Sequence, residues 1–380
     1  MKNQYVILTG SKNNAGDFLI KYRAKALFKI IRPDRDIVDL NGWESFDDYK
    51  LQTINESRAL ILMGGPSLVK NMVPNVYNLE EYIDAIKVPV ILMGVGWKSK
   101  RGNWEDTYNY DLNRPTLKLL NKVKGSEFLS SVRDYHTLNV LRFKGIENVL
   151  MTGCPAYYDY KYLNKDFAEN KIEKVSFSLG VSFIESPSMF RLMKENVLEC
   201  KKHFKGNFEV VFHHSLNRKD FKDKHKKISK HVLKHNQFAD WLDENNIKYI
   251  DISGSAKNLI NYYSNVDLHI GYRVHAHIFM NSISKKSILI CEDGRAKGVK
   301  GSINGIVLKG FLNFKNKFHN KVLNKLIPNY DKFKSNLSLS KELVSEIEYE
   351  KRINFSRMKN SRKIIDSNYK VMFDFLNQLP

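Results

Sequence analysis

The strongest chemical signal in the sequence is an arginine and a histidine, Arg273 and His275, which closely follow a short apolar run and Gly271. The run at 267–270 is typical of a strand, and a helical pattern begins directly after it. An arginine at a helix start offers forked donors to a phosphate or carboxylate, and the unpaired N–H groups of the first turn add to the attraction. His275 is suited to bind the same anion or to move a proton near neutral pH. His277 faces away on a helix and is predicted to be structural.

Two further strand ends in the second half carry polar side chains. Glu292 and Asp293 are suited to bind hydroxyls of a donor or an acceptor, although an Asp-Gly pair also simply builds turns. Arg295 is a second candidate ligand for an anion. His213 ends another apolar run beside His214. Adjacent histidines on a strand point to opposite faces, so a metal site is not predicted there.

In the first half, the earliest candidate is the pair Gly16-Asp17, between the first apolar run and a helical pattern. Gly16 allows a ligand to approach the backbone. Asp17 either caps the helix, a position that aspartate favours, or acts as a base. The segment is not the GxGxxG fingerprint, so a nicotinamide dinucleotide is not expected.

The other first-half candidates are glycines and one arginine. Gly64-Gly65 and Gly94-Val95-Gly96 are predicted to end two strands and to line a cleft. Arg133 follows the next strand, and Asp134 is placed to cap the helix after it. The sequence leaves two interpretations of Arg133 open: it points at an anion in the cleft, or it pairs with a carboxylate.

The elements that position these residues form two series of alternating strands and helices, separated by a looser stretch at 155–172. Such alternation predicts βαβ units with parallel sheets, and ligands then bind at the carboxyl ends of the strands. The predicted strands are Tyr5–Thr9, Asp36–Leu40, Ala59–Met63, Val90–Gly94, Glu127–Ser131 and Asn148–Met151, then Val175–Leu179, Phe208–Phe212, Lys248–Ile252, Val266–Ile270, Ser287–Cys291 and Gly305–Val307. The predicted architecture is α/β: two Rossmann-like domains facing a cleft, with a helical C-terminal tail.

Residues 1–165 are predicted to form the acceptor-side domain and 172–325 the donor-side domain. A helical tail at 326–380 either covers exposed sheet or serves as an oligomerisation or membrane-docking helix. The length of 380 residues suits two domains of about 150 residues each. The longest apolar runs are too short to span a membrane, and the N-terminus lacks the pattern of a signal peptide. Three widely separated cysteines indicate a reducing compartment, so a cytoplasmic protein with no metal site is expected.

The formal net charge is +21, concentrated in residues 218–234 and 296–325. Such charge attracts anionic lipid or acidic substrates, so these segments are either a functional surface or only a solvated face. A functional surface would contact an anionic membrane or a polyanionic acceptor. Nucleic acid is not expected as a partner, because no recognition motif accompanies the charge.

Six motifs together resemble the polysaccharide pyruvyl transferase family over roughly residues 5–310. That family shows Gly-Asp, Gly-Gly, Gly-Val-Gly, Val-Arg-Asp, Gly-x-Pro and Gly-x-Arg-x-His-Ala in this order. The matching residues are Gly16-Asp17, Gly64-Gly65, Gly94-Val95-Gly96, Val132-Arg133-Asp134, Gly153-Cys154-Pro155 and Gly271-Tyr272-Arg273-Val274-His275-Ala276.

The resemblance implies a GT-B-like fold, phosphoenolpyruvate as co-substrate with no cofactor, and transfer of a pyruvyl group to two sugar hydroxyls of a bacterial surface glycan. Arg273 and His275 would then hold the phosphate and carboxylate of the donor, with His275 or Asp17 moving protons. The donor side is expected to comprise Gly271, Arg273, His275, Glu292, Asp293, Arg295 and His213. The acceptor side is expected to comprise Gly16, Asp17, Gly64, Gly65, Gly96 and Arg133.

One departure from the family leaves the donor open. The family carries an arginine in the first strand of its second domain, whereas residues 175–180 contain none. Either Arg295 or Arg133 replaces it, or the chain is a GT-B glycosyltransferase. In that alternative the helix start at Arg273 holds a nucleotide diphosphate, and Glu292 or Asp293 binds the ribose. A non-catalytic carbohydrate-binding relative is disfavoured, because the Arg273–His275 pair is intact.

Overall fold

The computed structural model describes residues 2–10, 14–167, 171–217, 229–314, 331 and 333–380. Within these ranges the chain forms two six-stranded parallel sheets and one small antiparallel pair. All twelve predicted strands are present, with ends shifted by up to a few residues.

The first sheet has the strand order β2-β1-β3-β4-β5-β6. Its central strands are almost wholly buried, because they consist of Val, Ile, Leu and Met with helices on both faces. The strands are β1 Gln4–Thr9, β2 Asp36–Asn41, β3 Ala59–Leu68, β4 Val90–Trp97, β5 Ser130–Val132 and β6 Val149–Met151.

The second sheet has the strand order β12-β11-β10-β7-β8-β9. Read from β9 to β12, this is the 3-2-1-4-5-6 order of a doubly wound Rossmann fold. The strands are β7 Lys174–Ser178, β8 Asn207–Phe212, β9 Tyr249–Asp251, β10 Leu268–Gly271, β11 Lys286–Cys291 and β12 Val307–Lys309. The antiparallel pair joins β13 Phe311–Phe314 to β14 Phe333–Ser335.

Helices connect the strands, and most begin at a polar cap whose side chain accepts from a first-turn N–H, as Asn14 does at the start of α1. The helices are α1 Ala15–Ile31, α2 Asp48–Asn55, α3 Met72–Asn75, α4 Glu105–Tyr108, α5 Arg114–Lys124, α6 Tyr135–Phe143, α7 Pro187–His203, α8 Lys230–Glu244, α9 Ala256–Tyr263, α10 Val274–Ser282, α11 Gly294–Ile303, α12 Leu339–Arg352 and α13 Ser356–Asn377.

Each sheet has a switch point, where neighbouring strands lead to helices on opposite faces. In the first sheet it lies between β1 and β3, and in the second between β7 and β10. Ligands of open α/β sheets bind in the crevice outside such points. Gly16 and Asp17 follow β1, and Arg273 follows β10, so both switch points carry predicted site residues.

Three expectations need correction. Gly64-Gly65 and Gly94–Gly96 lie within β3 and β4, because these strands continue to Leu68 and Trp97. The region from 326 is not wholly helical, since β14 pairs with β13 before α12 begins. Asp17 does not cap α1, because Asn14 does.

The last helix, α13, packs against α1 of the first half and against α10 and α11 of the second. Its buried side chains include Ile365, Met372 and Phe375. This helix therefore bridges the two halves. Among the described residues, none of the helices has the length and apolar character needed to cross a membrane. Residues 218–228 of the first basic segment and 315–325 of the second lie outside the described residues, so the role of these two segments stays a prediction.

Candidate active site

The two switch points face each other closely across a cleft. A Cβ atom on Gly16 would lie 2.0 Å from Nδ1 of His275, so the ring of this second-half histidine rests on the first turn of α1. Farther along the cleft, the Gly294 N–H donates to the Ser99 carbonyl at 2.9 Å. The carboxyl ends of both sheets therefore build one site.

Arg273 is the residue that precedes α10, and the loops after β7 and β8 hold its side chain. Its Nη1 lies 3.1 Å from Nε2 of His214, and its Nη2 donates to the Gly180 carbonyl at 3.3 Å. Burial lowers the pKa of Arg273 to about 10, so the guanidinium stays charged near neutral pH. Its buried Nε has no hydrogen-bond partner among the described residues.

His275 is 6% exposed and lies among three guanidinium groups. Burial, followed by the charges of Arg133, Arg295 and Arg273, lowers the pKa of His275 to about 3. Without a bound ligand the imidazole ring is therefore neutral near neutral pH. Its Nε2 is buried, and no described residue bonds to it. Because bound anionic charge would favour the protonated ring, the group is poised to gain a proton with a ligand.

Arg133 reaches into the same cleft from the first sheet. It is 5% exposed and packs directly against Gly96, where a Cβ would lie 1.9 Å from Nε. Its Nε lies 3.4 Å from Asp134, whose other oxygen caps α6 through Thr137. Both Nη atoms are buried without a partner among the described residues. The ion-pair interpretation thus accounts for one edge of the guanidinium, and the two Nη groups remain for an anion.

Asp17 lies in the first turn of α1 beside Gly65. A Cβ on Gly65, whose φ is +116°, would come within 3.1 Å of the Asp17 carboxylate. The carboxylate is also near enough to Arg295 to contribute to its raised pKa, after the larger effect of Asp293. Asp17 therefore lies in the cleft with the cationic groups.

The polar residues after β11 hold the cleft together. The Glu292 carboxylate accepts from the N–H groups of Val181 and Ser182 at 2.7 and 2.9 Å, which fixes the loop carrying Gly180. Asp293 caps α11 and receives Nε and Nη2 of Arg295. The turn interpretation of Asp293 is therefore supported, and Asp293 is already engaged, whereas Oε1 of Glu292 has no hydrogen-bond partner among the described residues.

The histidines of the second half divide into structural and cleft groups. His213 is 3% exposed and bonds to the Tyr263 hydroxyl at 2.7 Å, near Arg273 and His275. His277 bonds to Ser287 at 2.8 Å, away from the cleft, in line with the prediction that it is structural. His214, which contacts Arg273, belongs to the segment His213-His214-Ser215 that the sequence indicates as a candidate for the cleft rim, although only His213 was predicted as a donor-side residue.

The remaining predicted glycines allow close packing at the cleft. Gly64 lies against the backbone of Gly94, and Gly271, with φ +140°, lies against the backbone of Ser178. The Ser178 hydroxyl accepts from the Arg273 N–H at 3.1 Å. These glycines thus bring the strand ends together. No group of three His, Cys, Asp or Glu suited to a metal occurs among the described residues.

A methyl group at Gly16 is expected to disturb the cleft. Besides Nδ1, the Cγ and Cβ atoms of His275 would lie 2.3 and 2.8 Å from the added Cβ, so a rotation of the ring alone gives no relief. We expect Gly16→Ala to lower the free energy of unfolding by about 1–3 kcal/mol, the usual cost of overpacking. Urea unfolding measures the change.

Gly301→Ala is the matched control, because nothing lies within 4 Å of that position in α11. This variant should be neutral or stabilising. Equal effects in both variants would contradict the contact.

A sequence model of polysaccharide pyruvyl transferases matches residues 14–279. Among curated proteins, none matches the sequence. The fold is similar to that of an E. coli structure described as trehalose-6-phosphate bound with UDP-2-fluoro glucose, with a TM-score of 0.53, 9% identity and 99% coverage of each chain. A putative UDP-N-acetylglucosamine 2-epimerase from Listeria monocytogenes has a TM-score of 0.50 at 12% identity, with 86% of this chain and 88% of that chain covered. The architecture is therefore GT-B-like.

Proposed function

The chain belongs to the polysaccharide pyruvyl transferase family and is a transferase, and from this premise we propose that it moves a pyruvyl group from phosphoenolpyruvate to a sugar. Two hydroxyls of a bacterial surface polysaccharide, or of its lipid-linked precursor, would receive the group as a cyclic ketal. No cofactor is required, since the donor itself carries the energy of the transfer. The reaction would take place at the cytoplasmic side, with peripheral contact to an anionic membrane.

The observation that carries this proposal is a set of buried nitrogen atoms without partners among the described residues. They are Nη1 and Nη2 of Arg133, Nε of Arg273 and Nε2 of His275. Buried donors are normally satisfied, so such a cluster indicates a site for a ligand. Forked guanidinium groups suit phosphate and carboxylate, the two anionic groups of phosphoenolpyruvate.

Arg133 is proposed as the replacement for the arginine that the first strand of the second half lacks. Its guanidinium approaches His275 from the opposite sheet, and the charge of Arg133 is the largest contribution to the low pKa of His275 after burial. Arg295 is less suited to this role, since Asp293 already receives its Nε and Nη2. Arg133, which was predicted on the acceptor side, is therefore proposed to bind the donor as well.

The chemistry moves two protons, one from each sugar hydroxyl. Protonation of the methylene carbon of the donor gives an oxocarbenium ion, which a sugar hydroxyl captures. Phosphate then leaves by cleavage of its C–O bond, and the second hydroxyl closes the ketal. One hydroxyl proton ends on the new methyl group and the other on phosphate. Donors fixed in a buried cleft stabilise the developing charge without reorganisation.

His275 is proposed to deliver the proton and Asp17 to accept one from the sugar. Without the donor His275 is neutral, and the anionic charge of the donor would raise its pKa. Asp17 lies on the first-sheet side, beside Gly65.

Asp17→Asn keeps the shape of the side chain and removes its basicity. We expect turnover to fall by at least about 100-fold, the usual contribution of a general base. Stabilisation by phosphoenolpyruvate should persist, because the donor contacts are untouched. Phosphate release and thermal unfolding measure the two quantities. Retained turnover would show that another group removes the proton.

The glycosyltransferase alternative has one supporting observation. Asp293 is paired with Arg295, and Oε2 of Glu292 accepts from two backbone N–H groups. Oε1 of Glu292, however, is buried without a hydrogen-bond partner among the described residues and suits a ribose hydroxyl. The alternative therefore enters as the other arm of the test.

The test is thermal unfolding with phosphoenolpyruvate and, separately, with a panel of nucleoside diphosphates. A ligand at about 100 times its dissociation constant adds roughly 2.7 kcal/mol, which raises the melting temperature by several degrees. We expect a rise with phosphoenolpyruvate that is lost in Arg273→Ala. Arg191→Ala, on the exposed surface of α7, is the control and should keep the rise. A rise with one nucleoside diphosphate alone would establish the glycosyltransferase instead.

A further inference from the structure

Helix α1 has a second apolar stripe on the side that faces solvent. Phe18, Tyr22, Ala26 and Ile30 recur every four residues, and Lys21, Lys25 and Lys29 form a parallel row beside them. Tyr22 is 55% exposed and Ile30 46% exposed, although both are large. The opposite face of α1 is buried against the first sheet, so the exposed stripe is not needed for the core. We call this exposed side, residues 18, 21, 22, 25, 26, 29 and 30, the α1 face.

A groove of about 900 Å³ runs between this helix and the edge strand β2. Phe18, Tyr22 and Ala26 line one wall, and Pro33 and Ile37 lie on the other. Because β2 has only β1 as a neighbour, the groove lies at the open edge of the sheet.

The charge of the groove is positive. Four basic residues, Lys21, Lys25, Lys29 and Arg35, line it together with two aspartates. Lys21 and Lys25 share a single carboxylate, Asp39, at 3.1 and 3.6 Å. Lysine stems beside an apolar stripe extend their ammonium groups to the level of phosphates when the stripe enters a bilayer.

The α1 face leads directly to the active site. The same helix begins at Gly16, against His275, and Asp17 in its first turn lies in the cleft. Phe18, the first residue of the stripe, is the neighbour of Asp17 in the chain. A surface that holds the α1 face would therefore lie beside the entrance for the acceptor.

We propose that the α1 face docks on an anionic phospholipid bilayer, with Tyr22 and Ile30 at the boundary of headgroups and acyl chains and the three lysines on lipid phosphates. The inference rests on the proposed function in one respect: a bound bilayer would present a lipid-linked sugar to Asp17. Anionic lipid fits this face because the face combines exposed apolar side chains with a row of positive charge.

Sedimentation with vesicles tests the proposal. The full-length protein should bind vesicles of phosphatidylcholine and phosphatidylglycerol at 7:3, with weaker binding at high salt, and should not bind phosphatidylcholine alone. The triple variant Lys21→Gln, Lys25→Gln, Lys29→Gln should bind at least about tenfold more weakly, and so should Tyr22→Ser with Ile30→Ser. The control variant removes the same charge elsewhere, at the exposed Lys202, Lys205 and Lys248, and should bind like the unmodified protein.

Three results would overturn the proposal: no binding of the unmodified protein to the anionic vesicles, an equal loss in the control variant, or self-association through this face. Sedimentation velocity detects the last, since Tyr22→Ser would then convert a dimer to a monomer. Stabilisation by phosphoenolpyruvate is measured on every variant. If phosphoenolpyruvate stabilises neither the unmodified protein nor any variant, the proposed donor is refuted, and the vesicle result still tests membrane binding by itself.

Discussion

Replacing Arg133 by methionine is expected to abolish the stabilisation of the protein by phosphoenolpyruvate. The side chain is 5% exposed, and its two Nη groups have no partner among the described residues. Two opposing effects act on the stability of the unliganded protein, because the variant removes two unpaired buried donors and also leaves Oδ2 of Asp134 without Nε of Arg133. The lost response to phosphoenolpyruvate is therefore the readout that distinguishes a binding residue from a structural one.

Loss of the forked donors should weaken phosphoenolpyruvate binding by about 100-fold or more, since hydrogen bonds to charged groups contribute roughly 1.5–3 kcal/mol each. Oδ1 of Asp134 keeps its bonds to Thr137, whereas Oδ2 loses its contact with Nε of Arg133. Arg133→Lys is the control: it keeps the charge, loses the fork, and should retain part of the binding. Undiminished stabilisation of Arg133→Met by phosphoenolpyruvate would contradict the proposal.

The folded protein is expected to lose stability steeply as the pH falls below about 6.5. Six buried histidines have lowered pKa values because of burial, namely His136, His213, His235, His269, His275 and His277, with values of about 3 for His235, His275 and His277. The native pKa values lie below the unfolded value, so the unfolded state binds more protons. The contribution of these histidines to the free energy of unfolding is complete above about pH 6.5 and is lost as the pH falls from there to about 3.

Each histidine contributes up to about 1.4 kcal/mol per pH unit, so the six together contribute up to roughly 8 kcal/mol per unit. Urea unfolding at pH 5, 6, 7 and 8 measures the slope. His235→Phe should reduce the slope of the free energy of unfolding against pH by about 1.4 kcal/mol per pH unit, which corresponds to one proton. The reason is that His235 is wholly buried among Phe183 and Phe212. Phe238→Leu, a substitution of a neighbouring residue that does not titrate, should change the free energy of unfolding and leave its dependence on pH unchanged. Stability independent of pH between 5 and 7 would contradict the burial of these neutral rings.

Most of the local structure could be predicted from the sequence. Runs such as Val90–Gly94 consist of residues that favour strands and are buried on both faces, and glycines and polar caps separate them from helices. The extent of such a strand was less well predicted. The Gly-Val-Gly at 94–96 was taken as its end, whereas pairing of Val95 with β3 and β5 extends it to Trp97.

The division of roles among the charged residues could not be predicted in the same way. Arg133, Arg273 and Arg295 each follow a strand and each suit an anion. The structure separates them by their neighbours, because Asp293 engages Arg295, His214 and Gly180 contact Arg273, and Arg133 has free donors. Arg273 lies 59 and 93 residues from His214 and Gly180 in the chain, so no local pattern indicates these contacts, whereas Asp293 lies only two residues from Arg295.

The sequence alone predicted two series of parallel strands, site residues at the ends of these strands, and Arg273 and His275 as the central pair; the structure confirms the two parallel sheets. Strand patterns and strand-end motifs are local, so they can be read without knowing the fold. Only the tertiary structure decided that His275 rests on Gly16 and that Arg133 faces it from the other sheet. The physical reason is that burial and charge, which set the pKa of His275 and leave the donors of Arg133 unpaired, arise only where distant segments exclude water together.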